Sequence, residues 1–235
     1  MNRAMVTSQT QEIRYDALLG RAIEELRPVK RIWPVNVRLA LWLLLELAVL
    51  AGIALTFPRA DLYARLHNLH YLLVLGSFVV LGVVAASLAL RTAIPGREAS
   101  RLELTLVGGM ALGAILVVSR GSFAINFSLG EFIRDGVPCM VCTGLWAALP
   151  WLMLFWAVRR AAPLSLNVAG GLIGAAAFAF AFAASRLACP IDGTLHILVW
   201  HVLPAAAGAG LSVLAGTAWL RKRRGPSLPG MRFSS

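Results

Sequence analysis

Residues able to do chemistry are few in this chain and gather in two short stretches. Pro138-Cys139-Met140-Val141-Cys142 and Ala188-Cys189-Pro190 hold all three of its cysteines. Thiolates are nucleophiles, disulfide partners and soft-metal ligands, so this set offers a disulfide in an oxidising compartment or a site for a soft ion. A plainer reading stands beside that one, in which small polarizable side chains pad a helix end. Arg186 would favour a thiolate nearby and Asp192 would oppose it. His196 is a conceivable further ligand, although a lone histidine at such a place is first of all a polar interfacial residue. His67 and His70, with two residues between them, lie on the same outer side, and for His201, beside Trp200, the aromatic belt of a membrane interface is explanation enough. No catalytic residue is assigned, and whether a metal is bound is left open.

These residues must be positioned by a membrane bundle. At 59% hydrophobic and 14% charged residues, the chain departs far from soluble domains, which carry about 45–50% and about 25%. Six apolar runs stand out: Val37–Phe57, Tyr71–Leu90, Leu102–Ser119, Val141–Val158, Leu166–Ala184 and Ile197–Leu220. Each approaches or exceeds the roughly 17–25 residues that cross about 30 Å of hydrocarbon. The expected fold is an all-α integral membrane protein, a bundle of six transmembrane helices. It becomes five if the third run, interrupted by Gly108, Gly109 and Gly113, does not cross. Cys139 and Cys142 would then open the fourth span, and Cys189 would lie between the fifth and sixth.

Charge sets the orientation. Seventeen Lys and Arg lie in the N-terminal tail, the second and fourth connections and the C-terminus, against five, Arg59, Arg65, Arg120, Arg134 and Arg186, in the others. Basic segments stay in the cytoplasm, so both termini are expected inside a bacterial inner membrane and all three cysteines outside. The net charge of +11 thus reads as orientation signal and contact with anionic lipid, with no direct nucleic-acid binding. A largely polar start followed by a run long enough to span argues for an anchor and against a cleaved signal peptide. The expected organisation is a cytoplasmic tail, 1–36, a six-span domain, 37–220, and a basic C-terminal tail, 221–235.

Within the first tail, Gln9–Leu26 reads as a short amphipathic helix. Tyr15, Leu18, Leu19, Ala22 and Leu26 recur at helical steps, while Glu12, Asp16, Arg21, Glu24 and Glu25 populate other positions. Ser8 with Gln11 suits its start and Pro28 its end. Two occupants compete for the apolar face: the headgroup region of the membrane, or a groove on another protein, the mixed charge favouring the second. Deep in the first span, Glu46 should face the bundle in a structural role or bond to a hydroxyl or backbone group. Pro150 and Pro204 should bend the fourth and sixth spans. Gly170-Gly171-Leu172-Ile173-Gly174-Ala175 and Ala205–Gly210 suit close helix contact.

The order of several short stretches resembles the NrsF family of membrane anti-sigma factors across nearly the whole chain. They are Glu25-Leu26-Arg27-Pro28-Val29-Lys30-Arg31, Ala93-Ile94-Pro95-Gly96-Arg97, Arg159-Arg160-Ala161-Ala162-Pro163-Leu164, and Cys189-Pro190-Ile191-Asp192 followed by Trp200-His201. The resemblance implies six spans, no catalytic step and no cofactor. It also implies a cytoplasmic segment that holds an extracytoplasmic-function sigma factor until envelope, metal or oxidative stress is perceived through outer thiols. Cys139 and Cys189 match the family positions; Cys142 departs from the pattern and leaves open which of the first pair is the working thiol. Pro-Cys-x-x-Cys also resembles DsbB-type and VKOR-like thiol-quinone oxidoreductases, but those relay electrons through a second cysteine pair, and only Cys189 is left over here. A small membrane transporter, the third reading, is weakened by the scarcity of deep charges other than Glu46.

Overall fold

The computed structural model describes residues 20, 32–121, 123, 128–161 and 163–220. The chain divides into two units, Met1–Ile32 and Trp33–Ser235. The expected partner face, Tyr15, Leu18, Leu19, Ala22 and Leu26, lies outside the described residues, as do 221–235.

In the second unit the described residues form helices and no strand: α1 (Val35–Thr56), α2 (Leu62–Arg65), α3 (Leu69–Thr92), α4 (Arg101–Ser119), α5 (Leu129–Arg159), α6 (Leu166–Ala188), α7 (Thr194–Ile197) and α8 (Leu203–Ala215). A π-helical turn, Leu198–Val202, joins α7 to α8, so that Thr194–Trp219 runs as one span. Six helices, α1, α3, α4, α5, α6 and this composite, are long and apolar enough to cross a membrane. The chain is a multi-pass membrane protein, and the glycines of the third run do not interrupt α4. Leu44, Leu47 and Leu55 stand exposed along α1, as lipid-facing residues should.

Local sequence explains where the helices begin and end. Ser100 with Glu103 and Ser128 with Glu131 close reciprocal capping boxes at α4 and α5, and the Asn68 side chain accepts from the Tyr71 amide to start α3. Between α3 and α4, Arg97 N–H donates to Ile94 C=O across Pro95-Gly96, with Gly96 at φ 81°. Proline at the second place and a left-handed glycine at the third are what a type II turn requires.

The packing centres on α6, which touches α3, α8, α5 and α1. Its run of glycine and alanine keeps the helix thin, so neighbours come close and van der Waals contact holds the bundle, the term that dominates where lipid removes any hydrophobic gain. A Cβ on Gly174 would lie 2.6 Å from Ser212 Cβ, and one on Gly216 2.9 Å from Gly170 Cα. Ser212 Oγ donates to Gly170 C=O at 2.7 Å and accepts from Trp151 Nε1 at 2.7 Å. On the α3 side Phe78 stacks on Phe182, and Trp42 of α1 meets Phe180 edge-on, with ring centroids 3.7 Å and 5.4 Å apart.

One expectation needs correction. Cys139 and Cys142 do not open the fourth span: α5 begins at Leu129 and carries them in its third and fourth turns, with Pro138 inside the helix. Hydropathy detects only the stretch immersed in hydrocarbon, whereas 31 residues make a helix of about 46 Å, well beyond a core of about 30 Å. Glu46 is buried and faces the bundle, as expected, and its Oε1 has no hydrogen-bond partner among the described residues. Pro150 is built into the packing, its carbonyl accepting from Trp42 Nε1 at 3.0 Å.

Candidate functional site

At one end of the bundle Cys139, Cys189, His196 and His201 converge, one ligand-type atom from each lying within 4.8 Å of every other. Cys139 Sγ and Cys189 Sγ are 3.6 Å apart, and Cys189 Sγ is 3.5 Å from His196 Nε2. Three of the four side chains are buried and Cys139 is half-buried.

Each position follows from local backbone physics. The residue before a proline is driven out of the helical region. Cys189, preceding Pro190, accordingly takes φ −78°, ψ 123°, and its N–H makes the last bond of α6, to Ser185 C=O at 2.8 Å. Cys139, one turn beyond Asp135, turns its Sγ toward the Asp135 carbonyl at 3.6 Å and toward Cys189.

The two histidines are five residues apart, a spacing that in an α-helix leaves them about 140° apart around the axis. Here Leu203 N–H reaches back five residues to Leu198 C=O, a π turn that absorbs the extra residue. Pro204 sits just past it; with no N–H of its own and a ring that crowds the carbonyl four residues earlier, it discourages regular α-helix there. The rings of His196 and His201 thereby come to 5.4 Å between centroids.

The walls are apolar and tight. Phe132 meets His196 edge-on, Phe182 meets His201 edge-on, and Trp200 packs so closely on Gly136 that a Cβ there would fall inside the indole. Beneath the thiols, Thr143 Oγ1 and Ser185 Oγ share a hydrogen bond of 2.8 Å. A cavity of about 210 Å³ opens beside the cluster, lined by Cys142, Trp146, Pro190 and Ile191 among others. Cys142 is thus a neighbour of the cluster outside its closest set. The hydrogen bond from Cys139 lowers the Cys189 thiol pKa, with burial opposing and His196 assisting.

Three residues past Cys189, Asp192 anchors an ion cage. It accepts from Arg59 Nη2 at 2.7 Å, from Arg65 Nη2 at 2.9 Å and from Arg186. Asp61 accepts from Arg59 Nε at 2.6 Å and Arg65 Nε at 2.8 Å. Arg59 also donates to Pro190 C=O at 3.3 Å, and Arg186 Nη1 to Ile191 C=O at 3.2 Å, so the Cys-Pro-Ile-Asp loop is held along its length. Both guanidinium groups lie over the Tyr71 ring, whose hydroxyl donates to Arg186 C=O at 2.7 Å. Burial pushes the Asp192 carboxyl up, but hydrogen bonds from Arg59 and Arg186 hold it below its usual range. Hydrogen bonds from Arg59 and then Arg65 hold Asp61 lower as well. The groups directly against Cys189 are Cys139 and His196, while Arg186 is paired with Asp192.

His67 and His70 stand apart from the cysteines. His67 Nδ1 meets Tyr63 C=O at 2.8 Å, and His70 lines a separate cavity of about 170 Å³ with Arg65, Asn68 and Asp192. The member that sequence reasoning missed is His201, assigned to an aromatic belt yet wholly buried in the cluster. Its signal was available: a histidine five residues from another, three before a proline, inside an otherwise apolar run.

At the opposite end Arg38 is buried, donating to Leu90 C=O and Ala157 C=O at 3.3 Å each, and ties the start of α1 to the ends of α3 and α5. A search of curated proteins and one of solved structures found no match. A family model does match, described as negative regulator of sigma F and covering residues 23–221, which takes in both ends of the bundle and the whole thiol and imidazole cluster. With that coverage, this chain belongs to the NrsF family, negative regulators of a sigma factor.

Proposed function

We propose that this chain resides in a bacterial inner membrane with both termini cytoplasmic, and that it holds an extracytoplasmic-function sigma factor through the face Tyr15, Leu18, Leu19, Ala22 and Leu26. Cys139 and Cys189, with Cys142 beside them, report envelope, metal or oxidative stress and cause release. The orientation rests on seventeen basic residues against five, and the basic ends meet anionic lipid. One observation carries the sensing role: two thiols fifty residues apart in sequence lie 3.6 Å apart, at the end of the bundle away from the start of α1.

The test is transcription of the sigma factor's target genes at equal protein level. Leu18→Asp with Leu19→Asp removes two apolar anchors and adds charge, a change worth at least about 2 kcal/mol at a buried interface. Target genes should then be on without stress; continued silence in a stably inserted variant would place the binding face elsewhere. Coupled thiols are non-additive. Cys139→Ser or Cys189→Ser alone should therefore abolish induction as fully as both together, while Cys142→Ser does less. Full induction in the double variant would end the sensor reading, and turnover of a quinone with a reduced thiol partner would replace it with an oxidoreductase.

A further inference from the structure

We infer that Cys139, Cys189, His196 and His201 form a four-coordinate site for a zinc-type divalent ion. The inference rests on the reading of the thiols as the regulator's input and names what they bind.

Geometry comes first. Tetrahedral zinc, with bonds of about 2.3 Å to sulfur and about 2.0–2.1 Å to nitrogen, separates two sulfurs by about 3.8 Å and a sulfur from a nitrogen by about 3.6 Å. The corresponding distances are 3.6 Å between the two Sγ atoms and 3.5 Å from Cys189 Sγ to His196 Nε2. With all four donor atoms within 4.8 Å of one another, only small side-chain adjustments close the shell.

The second observation is independent of spacing. His201 is 0% exposed, yet neither of its ring nitrogens has a hydrogen-bond partner among the described residues. A buried polar group left in that condition destabilises the fold, because its lost hydration is not repaid. The Cys189 thiol is the neighbour that interacts with the ring electrostatically, and an ion between them would give one ring nitrogen the close partner it lacks.

Charge and rigidity agree. Binding displaces one proton from each thiol, and two thiolates with two neutral imidazoles exactly offset a divalent ion, leaving no net charge among Phe132, Phe182 and Trp200. Zinc tolerates such a closed shell of nitrogen and sulfur. His201 rides on the π turn before Pro204 and His196 on α7 just ahead of it, Cys189 is held by Pro190 and the ion cage, and Cys139 comes from α5. The ion would therefore tie the Cys-Pro loop and the sixth span to α5.

The experiment uses the full chain purified in detergent and titrated with Co(II), a spectroscopic stand-in for Zn(II), followed by competition with Zn(II). One ion per chain should give the ligand-field bands of a tetrahedral site and a thiolate-to-cobalt charge-transfer band, both removed by Zn(II). Cys189→Ser and His201→Ala should each weaken Zn(II) binding by more than the about 10–100-fold that loss of an outer-shell partner costs. Cys142→Ser and His70→Ala should leave it intact. A monodisperse elution profile and a wild-type-like thermal unfolding transition of the metal-free chain in detergent check that each variant is folded.

An octahedral cobalt spectrum, or no binding, in the wild-type chain overturns the inference, as does equal affinity in folded His201→Ala. Failure of the two readings is distinguishable. If the wild-type chain binds no metal while Cys139→Ser and Cys189→Ser still abolish induction, the metal site falls and thiol sensing stands; tight binding by the wild-type chain together with unaltered induction in those variants does the reverse.

Discussion

The loop from Cys189 to Asp192 joins two clusters of opposite character. Around Asp192 the charges are matched: Arg59, Arg65 and Arg186 surround two carboxylates, and spare donors go to the carbonyls of Pro190 and Ile191. Around Cys189 the polar atoms are under-used, with two thiols in loose contact and a buried His201 ring whose nitrogens make no close hydrogen bond among the described residues. A matched ionic network inside a bundle fixes geometry and offers nothing to a ligand, whereas an under-used cluster is where a ligand or oxidant finds free energy. The first holds the loop that carries Cys189, beside the second.

Breaking the cage should produce the largest effect. Asp192→Ala leaves the guanidinium groups of Arg59 and Arg186, whose side chains are 0% and 3% exposed, without their shared carboxylate. Loss of one partner of a buried ion pair costs about 3–5 kcal/mol. The variant should unfold well below the wild-type temperature in detergent, or fail to accumulate in membranes. Wild-type stability would mean that Asp61 and water suffice for the arginines.

A smaller and more selective effect is expected at Gly136, whose missing Cβ makes room for the Trp200 indole. Gly136→Ala must push Trp200, and with it the turn carrying His201, costing about 1–3 kcal/mol as overpacking does. The ion cage lies on other residues and should keep its part of the stability. Thiol accessibility to an alkylating reagent should rise at Cys189 while Asp192→Ala and Gly136→Ala remain additive in stability. Strong coupling between them would join the two clusters into one unit.

The smallest effect is expected from pH. Asp61 and Asp192 are both held below the ordinary carboxylate pKa. A lowered carboxylate contributes stability that is fully present above its unfolded value, about 3.9, and is lost only as pH falls through the folded value. Melting temperature should therefore show no contribution from the cage between about pH 5 and 8. A transition in that window that vanishes in Asp192→Asn would show that the cage titrates and does not serve as a fixed anchor.

Much of the fold was legible because a membrane reads a chain locally: twenty apolar residues in succession identify a span wherever they fall. The same localness explains the misplaced start of α5. Its first turns lie beyond the hydrocarbon and are specified by Ser128 and Glu131, a capping signal that hydropathy does not register. The thiol pair was half legible, since short connections make adjacent spans neighbours and Cys139 and Cys189 lie on adjacent spans. His201 was not, because its face depends on a π turn, and one added residue rotates everything after it by about 100°.

By itself, then, the sequence determined the membrane class, the six helices, the charge imbalance between the two sets of connections, and the break at Cys189 that Pro190 imposes. Each is a property of residues within a few positions of one another. Which thiol meets which, the entry of His201 into their company, and the gathering of Arg59 onto an aspartate 133 residues away were decided by tertiary structure alone. Such contacts depend on how closely helices pack, and here that is set by Gly136, Gly174 and Gly216, residues whose contribution is the space that they leave to a neighbour.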